Sequence, residues 1–276
     1  MAAKVSIQGY EGSFHQMAAR SFFGNEVEVI PCATFREVVK LANNKREADG
    51  GVMAIENSIA GSILGNYALL QKSDLQIVGE VYLQINQQLL VNPDVKLEDI
   101  KEVHSHPMAL QQCLQFLDKY NWKLVETEDT ALSAKQVHRH RSKHIAAIAG
   151  KLAAELFDLK IIKHNIQDAK DNYTRFLIVQ KTDEHTINNQ ADKASVNFQV
   201  SHTQGALARV LTVIAEEGVN LSKLQSFPIP GTQWKYSFHA DLEFETILQF
   251  ERVKERILPL TDSLRVFGIY KKGQTV

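Results

Sequence analysis

Cysteine is scarce in this sequence. Only Cys32 and Cys113 occur in 276 residues, too few and too far apart for a disulfide framework, so both read as reduced, buried thiols. An excess of charge of either sign is also missing: 31 basic against 32 acidic side chains leave a formal net charge of -1. That argues against a nucleic-acid partner, whose phosphates call for a basic face. No apolar run approaches the ~20 residues that span a bilayer. The first seven residues run into a strand pattern without the apolar segment of a signal peptide. The expectation is a cytoplasmic protein with neither a membrane nor a nucleic-acid partner. Phosphate and metal signatures are lacking too. Gly9-Tyr10-Glu11-Gly12-Ser13 has no lysine of a Walker loop and not the spacing G-x-G-x-x-G. His138, His140 and His144 alternate with Arg139, Arg141 and Lys143, which makes a solvated basic turn and a poor cation site, so no metal is expected.

What is present is α/β alternation. Segments 4–8, 27–31, 52–55, 77–91, 102–104, 124–127, 145–149 and 176–180 read as strands. Helical spacing falls on 14–23, 34–43, 108–120, 130–138 and 151–157. This order argues for a largely parallel sheet. The run 77–91 is too long for one plain strand and reads as a segment leaving one sheet to join a second. That implies two α/β lobes, 1–80 with 165–183 and 81–164, with a cleft between them and a periplasmic-binding-protein-like crossing. Residues 184–194 are polar and aperiodic and read as a linker. Beyond them, 195–201, 205–217, 223–227, 234–243, 247–257 and 263–270 give the ferredoxin-like order βαββαβ.

Four segments place small polar groups where strands end. Gly12 and Ser13 open a helix whose first amides attract anions, or else form a plain βα turn. Glu56-Asn57-Ser58-Ile59-Ala60-Gly61 closes the most apolar strand, where α/β proteins bind ligands, or caps the next helix through an Asx turn. Ser105-His106-Pro107 precedes a helix with proline at its first position, so His106 is either a structural cap or a cleft residue. Asp171-Asn172-Tyr173-Thr174-Arg175-Phe176 sets a hydroxyl beside a guanidinium at a strand entry. Arg175 can clamp a carboxylate there, or pair at the surface while Phe176 fills the core. Together these describe a site for a small polyanion.

In combination and order, these motifs, with Met108-Ala109-Leu110-Gln111-Gln112-Cys113 and Ala146-Ala147-Ile148-Ala149-Gly150, resemble the prephenate dehydratase family over about residues 4–270. Met108 and Gly150 stand where that family usually has Gln and Ser. The resemblance implies a two-lobed, type II periplasmic-binding-protein-like catalytic domain over 1–183. It also implies a monofunctional enzyme, since no chorismate-mutase segment precedes Lys4, and a decarboxylating dehydration that needs no cofactor. By the same resemblance Thr174 donates to the leaving hydroxyl, Arg175 anchors the side-chain carboxylate and Phe176 gives an apolar floor. Gly12, Ser13, Asn57, Ser58, Gly61, Ser105, His106 and Asn172 hold the remaining substrate atoms. Arogenate, the amino analogue of prephenate, is a rival substrate that no sequence feature excludes. A non-catalytic sensor built on the same lobes is a rival of another class.

The C-terminal part, 195–276, resembles an ACT domain, the amino-acid sensor of this family. The resemblance implies L-phenylalanine as effector, held by Gly205, Ala206, Leu207, Leu211, Asn220, Leu221, Ser226 and Pro228. It further implies a homo-oligomer, a dimer or a dimer of dimers. The usual Glu-Ser-Arg-Pro reads here Gln225-Ser226-Phe227-Pro228.

Overall fold

Alternating side chains make β1 (Lys4–Gln8), whose Val5, Ser6 and Ile7 are shut from solvent. Ser13 receives the amide of Gln16 and starts α1 (Phe14–Phe23). After β2 (Glu28–Cys32), Thr34 caps α2 (Phe35–Ala42) in the same way through Glu37. The computed structural model describes residues 2–182, 190–229, 231–233 and 235–276. Two compact units divide it: Met1–Asp74 with Val81–Ile178 and Gln274–Val276, and Leu75–Glu80 with Val179–Gly273. Among the described residues no helix is long and apolar enough to cross a membrane.

The chain continues through β3 (Gly50–Asn57), β4 (Gly61–Ser62), α3 (Leu64–Gln71) and β5 (Gln76–Gln84). It then forms β6 (Gln88–Val91), β7 (Glu102–Ser105), α4 (Pro107–Gln111), α5 (Leu114–Leu117) and β8 (Lys123–Glu126). The first unit closes with α6 (Thr130–Arg139), β9 (Ile145–Ala149), α7 (Lys151–Leu156), β10 (Lys160–Lys163) and β11 (Tyr173–Gln180). One sheet has the order β2-β1-β3-β11-β5, with β4 on β3, and the other the order β10-β6-β9-β7-β8. Both are mixed. β1 pairs in parallel with β2 and β3, and β7 with β8 and β9, while β6 runs antiparallel to β9 and β10. The run 77–91 divides as expected, β5 lying in the first sheet and β6 in the second.

Several expectations need correction. The strand read at 176–180 begins at Tyr173, so Thr174 and Arg175 lie inside it. The helix read over 108–120 is broken into α4 and α5, because the carbonyl of Gln112 accepts the amide of Asp168 at 2.7 Å instead of continuing the helix. α3 and β10 lie outside the segments read as helix and strand. Of the segment read as a linker, 184–189 falls outside the described residues. Its end is not linker, since Lys193 and Ala194 are buried in the next strand.

The second unit contains β12 (Lys193–Gln199), α8 (Ala206–Glu216), β13 (Asn220–Pro228), β14 (Tyr236–Glu243), α9 (Ile247–Ile257) and β15 (Ser263–Tyr270). This is the order βαββαβ, and the four strands form one antiparallel sheet, β13-β14-β12-β15. Trp234, read as the start of a strand, is outside the described residues. The helices cover one face of the sheet, with Val196, Phe198, Val210, Ile214, Phe250 and Val253 at the centre of the core. Lys193 is 1% exposed, and its ammonium lies 2.9 and 3.1 Å from the two carboxylate oxygens of Glu80.

Candidate active site

A cleft of about 330 Å³ opens in the first unit. β1 and β3 deliver Gln8 and Ala54 to it, the start of α1 delivers Ser13, Phe14 and His15, and β11 delivers Thr174 and Phe176. The second sheet's loops add His106, Met108, Gln112, Glu128, Asp129 and Thr130, and Ile85 and Gln87 come from the crossing between β5 and β6.

Strand periodicity decides which residues of the Thr-Arg-Phe triplet arrive. Alternate side chains face opposite sides of a sheet, so Thr174 and Phe176 share the cleft wall and Arg175 does not. Arg175 is 5% exposed, with its guanidinium 5.9 Å from the centre of the Tyr82 ring, and it is not among the cleft-lining residues. Arg175, expected to clamp a carboxylate, thus stands off the cleft wall, its register placing it on the opposite face from Thr174 and Phe176.

Asn57 is the residue that fixes Thr174. Its Nδ2 shares two hydrogens among three acceptors: Thr174 Oγ1 at 3.0 Å, the Tyr173 carbonyl at 3.1 Å and Asn172 Oδ1 at 2.7 Å. Its Oδ1 accepts the amides of Ile59 and Ala60 at 3.0 and 2.9 Å. Asn57 lines the cleft, and its amide is occupied on both sides by contacts that hold Thr174 in place. Because Thr174 Oγ1 accepts from Asn57, its own O–H is left to donate into the cleft. Asn57→Ala is expected to lower turnover at this cleft about tenfold with KM changed less than twofold, because the hydroxyl loses its aim. Steady-state kinetics checks this, and an unchanged kcat would remove Asn57 from the account.

Other residues read as substrate donors are consumed by the fold. Ser58 Oγ donates to the Asp171 carbonyl at 3.1 Å and accepts the Tyr173 amide at 2.9 Å, tying β3 to β11. Ser105 is fully buried and donates to the Ile148 carbonyl at 2.6 Å. Asn172 accepts from Asn57 and is 1% exposed, outside the lining. Gly12 is not lining either. At φ 87° it lets its loop approach α7, where a Cβ would meet Ala153 Cα at 3.0 Å. Gly61, at φ 81°, is the exposed first residue of β4. Ser13 and His106 do line the cleft while capping α1 and α4, His106 Nδ1 accepting the Met108 amide at 3.2 Å.

Sequence reasoning passed over the acidic edge and the histidine wall. Glu128 accepts the Tyr10 hydroxyl at 2.5 Å, and this hydrogen bond raises the Tyr10 pKa. Asp129 caps α6 through the Leu132 amide at 2.9 Å, and burial holds its carboxyl above the ordinary carboxylate range against the pull of that amide. The strand-end rule that singled out Asn57 applied equally to Glu128 and Asp129 after β8. His15 packs against Phe35 and Phe176 at 5.4 and 5.0 Å between ring centres, and burial lowers its pKa to about 4.

In the second unit a smaller pocket of about 140 Å³ lies at the start of α8. Ala206 and Leu207 line it, and Gly205 caps the helix with φ 76°. Of the other residues read as effector contacts, Leu211 and Leu221 pack on the unit's core. Asn220, Ser226 and Pro228 lie along β13 and do not line the pocket. Instead Ser201, His202, Lys235 and Tyr236 do.

The family model described as prephenate dehydratase matches residues 5–184. A bifunctional chorismate mutase/prephenate dehydratase of Aquifex aeolicus is 36% identical, the match covering 98% of this chain and 74% of the relative. Arogenate dehydratase 2 of Petunia hybrida is 38% identical over 97% of this chain and 71% of its own length. Among solved structures, prephenate dehydratase from Arthrobacter aurescens in complex with L-Phe superposes with a TM-score of 0.83 at 26% identity, covering 97% of this chain and 90% of that one. GqqA, described as a novel type of quorum quenching acylase, reaches a TM-score of 0.87 at 29% identity over 98% of both chains.

Proposed function

The chain belongs to the prephenate dehydratase family, and we propose that its chemistry takes place at the cleft wall formed by Thr174 and Phe176. The protein is a hydro-lyase of phenylalanine biosynthesis, converting prephenate to phenylpyruvate, water and carbon dioxide. The observation that carries our placement of the reaction is the hydrogen bond from Asn57 to Thr174 Oγ1. It turns a hydroxyl proton toward the substrate, where it stabilises negative charge growing on the departing oxygen. Formation of the aromatic ring drives the reaction, so the protein's task reduces to orientation and aimed hydrogen-bond donation. Phe176 gives the leaving carboxylate an apolar surface, since a cation there would stabilise the charge that must be lost. Ser13 and His106 are the substrate donors that remain at the rim.

A second substrate is favoured by a specific observation. Among the described residues lining the cleft there are two carboxylates, Glu128 and Asp129, and neither lysine nor arginine. Such a lining attracts an ammonium more readily than a second carboxylate. We therefore propose that the protein also accepts arogenate, whose amino group lies toward Glu128. The test supplies purified protein with prephenate and with arogenate and measures phenylpyruvate and phenylalanine. Glu128→Gln is expected to lower the arogenate-to-prephenate ratio of kcat/KM about tenfold, the equivalent of ~1.4 kcal/mol. A ratio that does not move removes the amino-group reading and leaves prephenate turnover as the test of the family reaction.

We further propose that the catalytic domain spans 1–183, with two lobes formed by 1–80 plus 165–183 and by 81–164. The second unit is proposed to be an ACT domain, with L-phenylalanine entering the pocket bordered by Ala206 and Leu207. Its four-stranded sheet is proposed to pair with that of another copy, giving a homodimer or a dimer of dimers, and the cytoplasm is its proposed location.

A further inference from the structure

His15 is placed on the same wall as the reacting groups. It lines the cleft together with Thr174 and Phe176, and its ring meets Phe176 edge-on, with an interplanar angle of 83°. On its other side Phe35 lies tilted against it at 56°. Its Nε2 is buried and has no hydrogen-bond partner among the described residues. Packing between two phenyl rings is better served by a phenyl or aliphatic side chain, since a buried polar atom without a partner destabilises the fold. The ring borders the cleft, so a turn of the imidazole brings a nitrogen within reach of a group bound there.

We propose that His15 is a substrate-contacting catalytic residue that donates a hydrogen bond, as a neutral imidazole, to the ring hydroxyl that leaves. The inference rests on the dehydratase reading given above. In that step the ring C–O bond breaks and its electron pair departs on oxygen. The electrons of the bond to the ring carboxylate pass into the ring and carbon dioxide is released. The oxygen leaves as hydroxide and takes a proton from solvent. Thr174 and His15 are then two neutral donors on one developing charge, neither of which has to give up its proton. Burial, which lowers the histidine's pKa to about 4, keeps the ring uncharged at neutral pH. A neutral imidazole acting as an electrophile in this way has precedent in enzyme chemistry. Rotation about the bond to the ring presents either nitrogen, because that torsion is broad and two-fold.

The test uses His15→Phe, His15→Gln and the unaltered protein. His15→Phe keeps the packing and is expected to lower kcat on prephenate about thirtyfold with KM changed less than about threefold. His15→Gln restores a neutral donor and is expected to return kcat to within about fivefold of the parent. In the parent protein, the 15N resonances of the His15 imidazole are expected to move when a saturated-ring analogue of prephenate, which keeps the ring hydroxyl and cannot aromatise, is added. A His15→Phe variant that keeps kcat within about threefold of the parent overturns the proposal. So does a His15 resonance that stays fixed while other cleft resonances move. If the unaltered protein fails to turn over prephenate, the dehydratase reading itself fails. The resonance measurement then still decides whether His15 touches the ligand.

Discussion

Replacing Thr174 by valine is expected to lower kcat on prephenate about 10²- to 10³-fold while KM stays within about threefold, the size of effect seen when one aimed donor to a developing oxyanion is removed. Valine has nearly the volume of threonine, and at 8% exposure the site keeps its packing. What disappears is the O–H that Asn57 holds in place. Thr174→Ser keeps the hydroxyl and should retain most of the activity. A leaving hydroxide gains charge only as the C–O bond stretches, so the missing hydrogen bond weakens the transition state far more than the ground state. Equal losses in kcat and in substrate affinity would mean that Thr174 anchors the substrate rather than assisting departure. Single-turnover measurements alongside the steady state separate the two.

The largest effect on stability is expected at Lys193, in the second unit. Lys193→Met should destabilise that unit by about 3–5 kcal/mol, the usual consequence of breaking a buried ion pair from one side. Glu80 has a fully buried side chain, and its oxygens face the Lys193 ammonium and, at 3.2 Å, the Gly273 amide. Glu243 adds a second, longer contact at 3.6 Å. Methionine fills the space of the lysine stem but leaves the Glu80 carboxylate without its cation. Lys193→Met combined with Glu80→Leu should recover most of the loss, because both desolvated charges go together. Urea denaturation followed by circular dichroism measures this. A single variant as stable as the parent would show that the pair contributes nothing net. Typical domains are stable by only 5–15 kcal/mol, so the single substitution is expected to leave a partly unfolded protein at 37 °C.

The sequence was legible where one periodicity dominated. The division of 77–91 between two sheets followed from its length, and the Ile85-Asn86-Gln87 interval is where it divides. α3 escaped because Leu64, Tyr67, Ala68, Leu69 and Leu70 put apolar groups around much of the helix and blur the stripe that marks a helix face. The start of β12 escaped because a lysine in a polar stretch looks solvated, and its distant partners Glu80 and Glu243 are what make burial tolerable. At the cleft, the strand-end rule located the right segments but could not assign tasks within them. Whether Asn57, Ser58 or Ser105 faces a ligand or ties down backbone depends on neighbours more than forty residues away. Arg175 shows the sharpest limit. A shift of one position along a strand is a change of face, and reading the strand as starting at Phe176 concealed which of the three residues share one.

Polar side chains lace together the two stretches that join the sheets of the first unit. Gln167 donates to Asn86 at 2.8 Å and accepts the Gln87 amide at 3.0 Å. The Gln87 carbonyl accepts the Ile166 amide at 2.9 Å, and Gln88 donates to Asn165 at 3.1 Å. Two separate tethers would let the sheets twist and slide independently. Stitched into one ribbon, they resist twist and slide, and so hold the walls carrying Thr174 and His106 in one relative alignment.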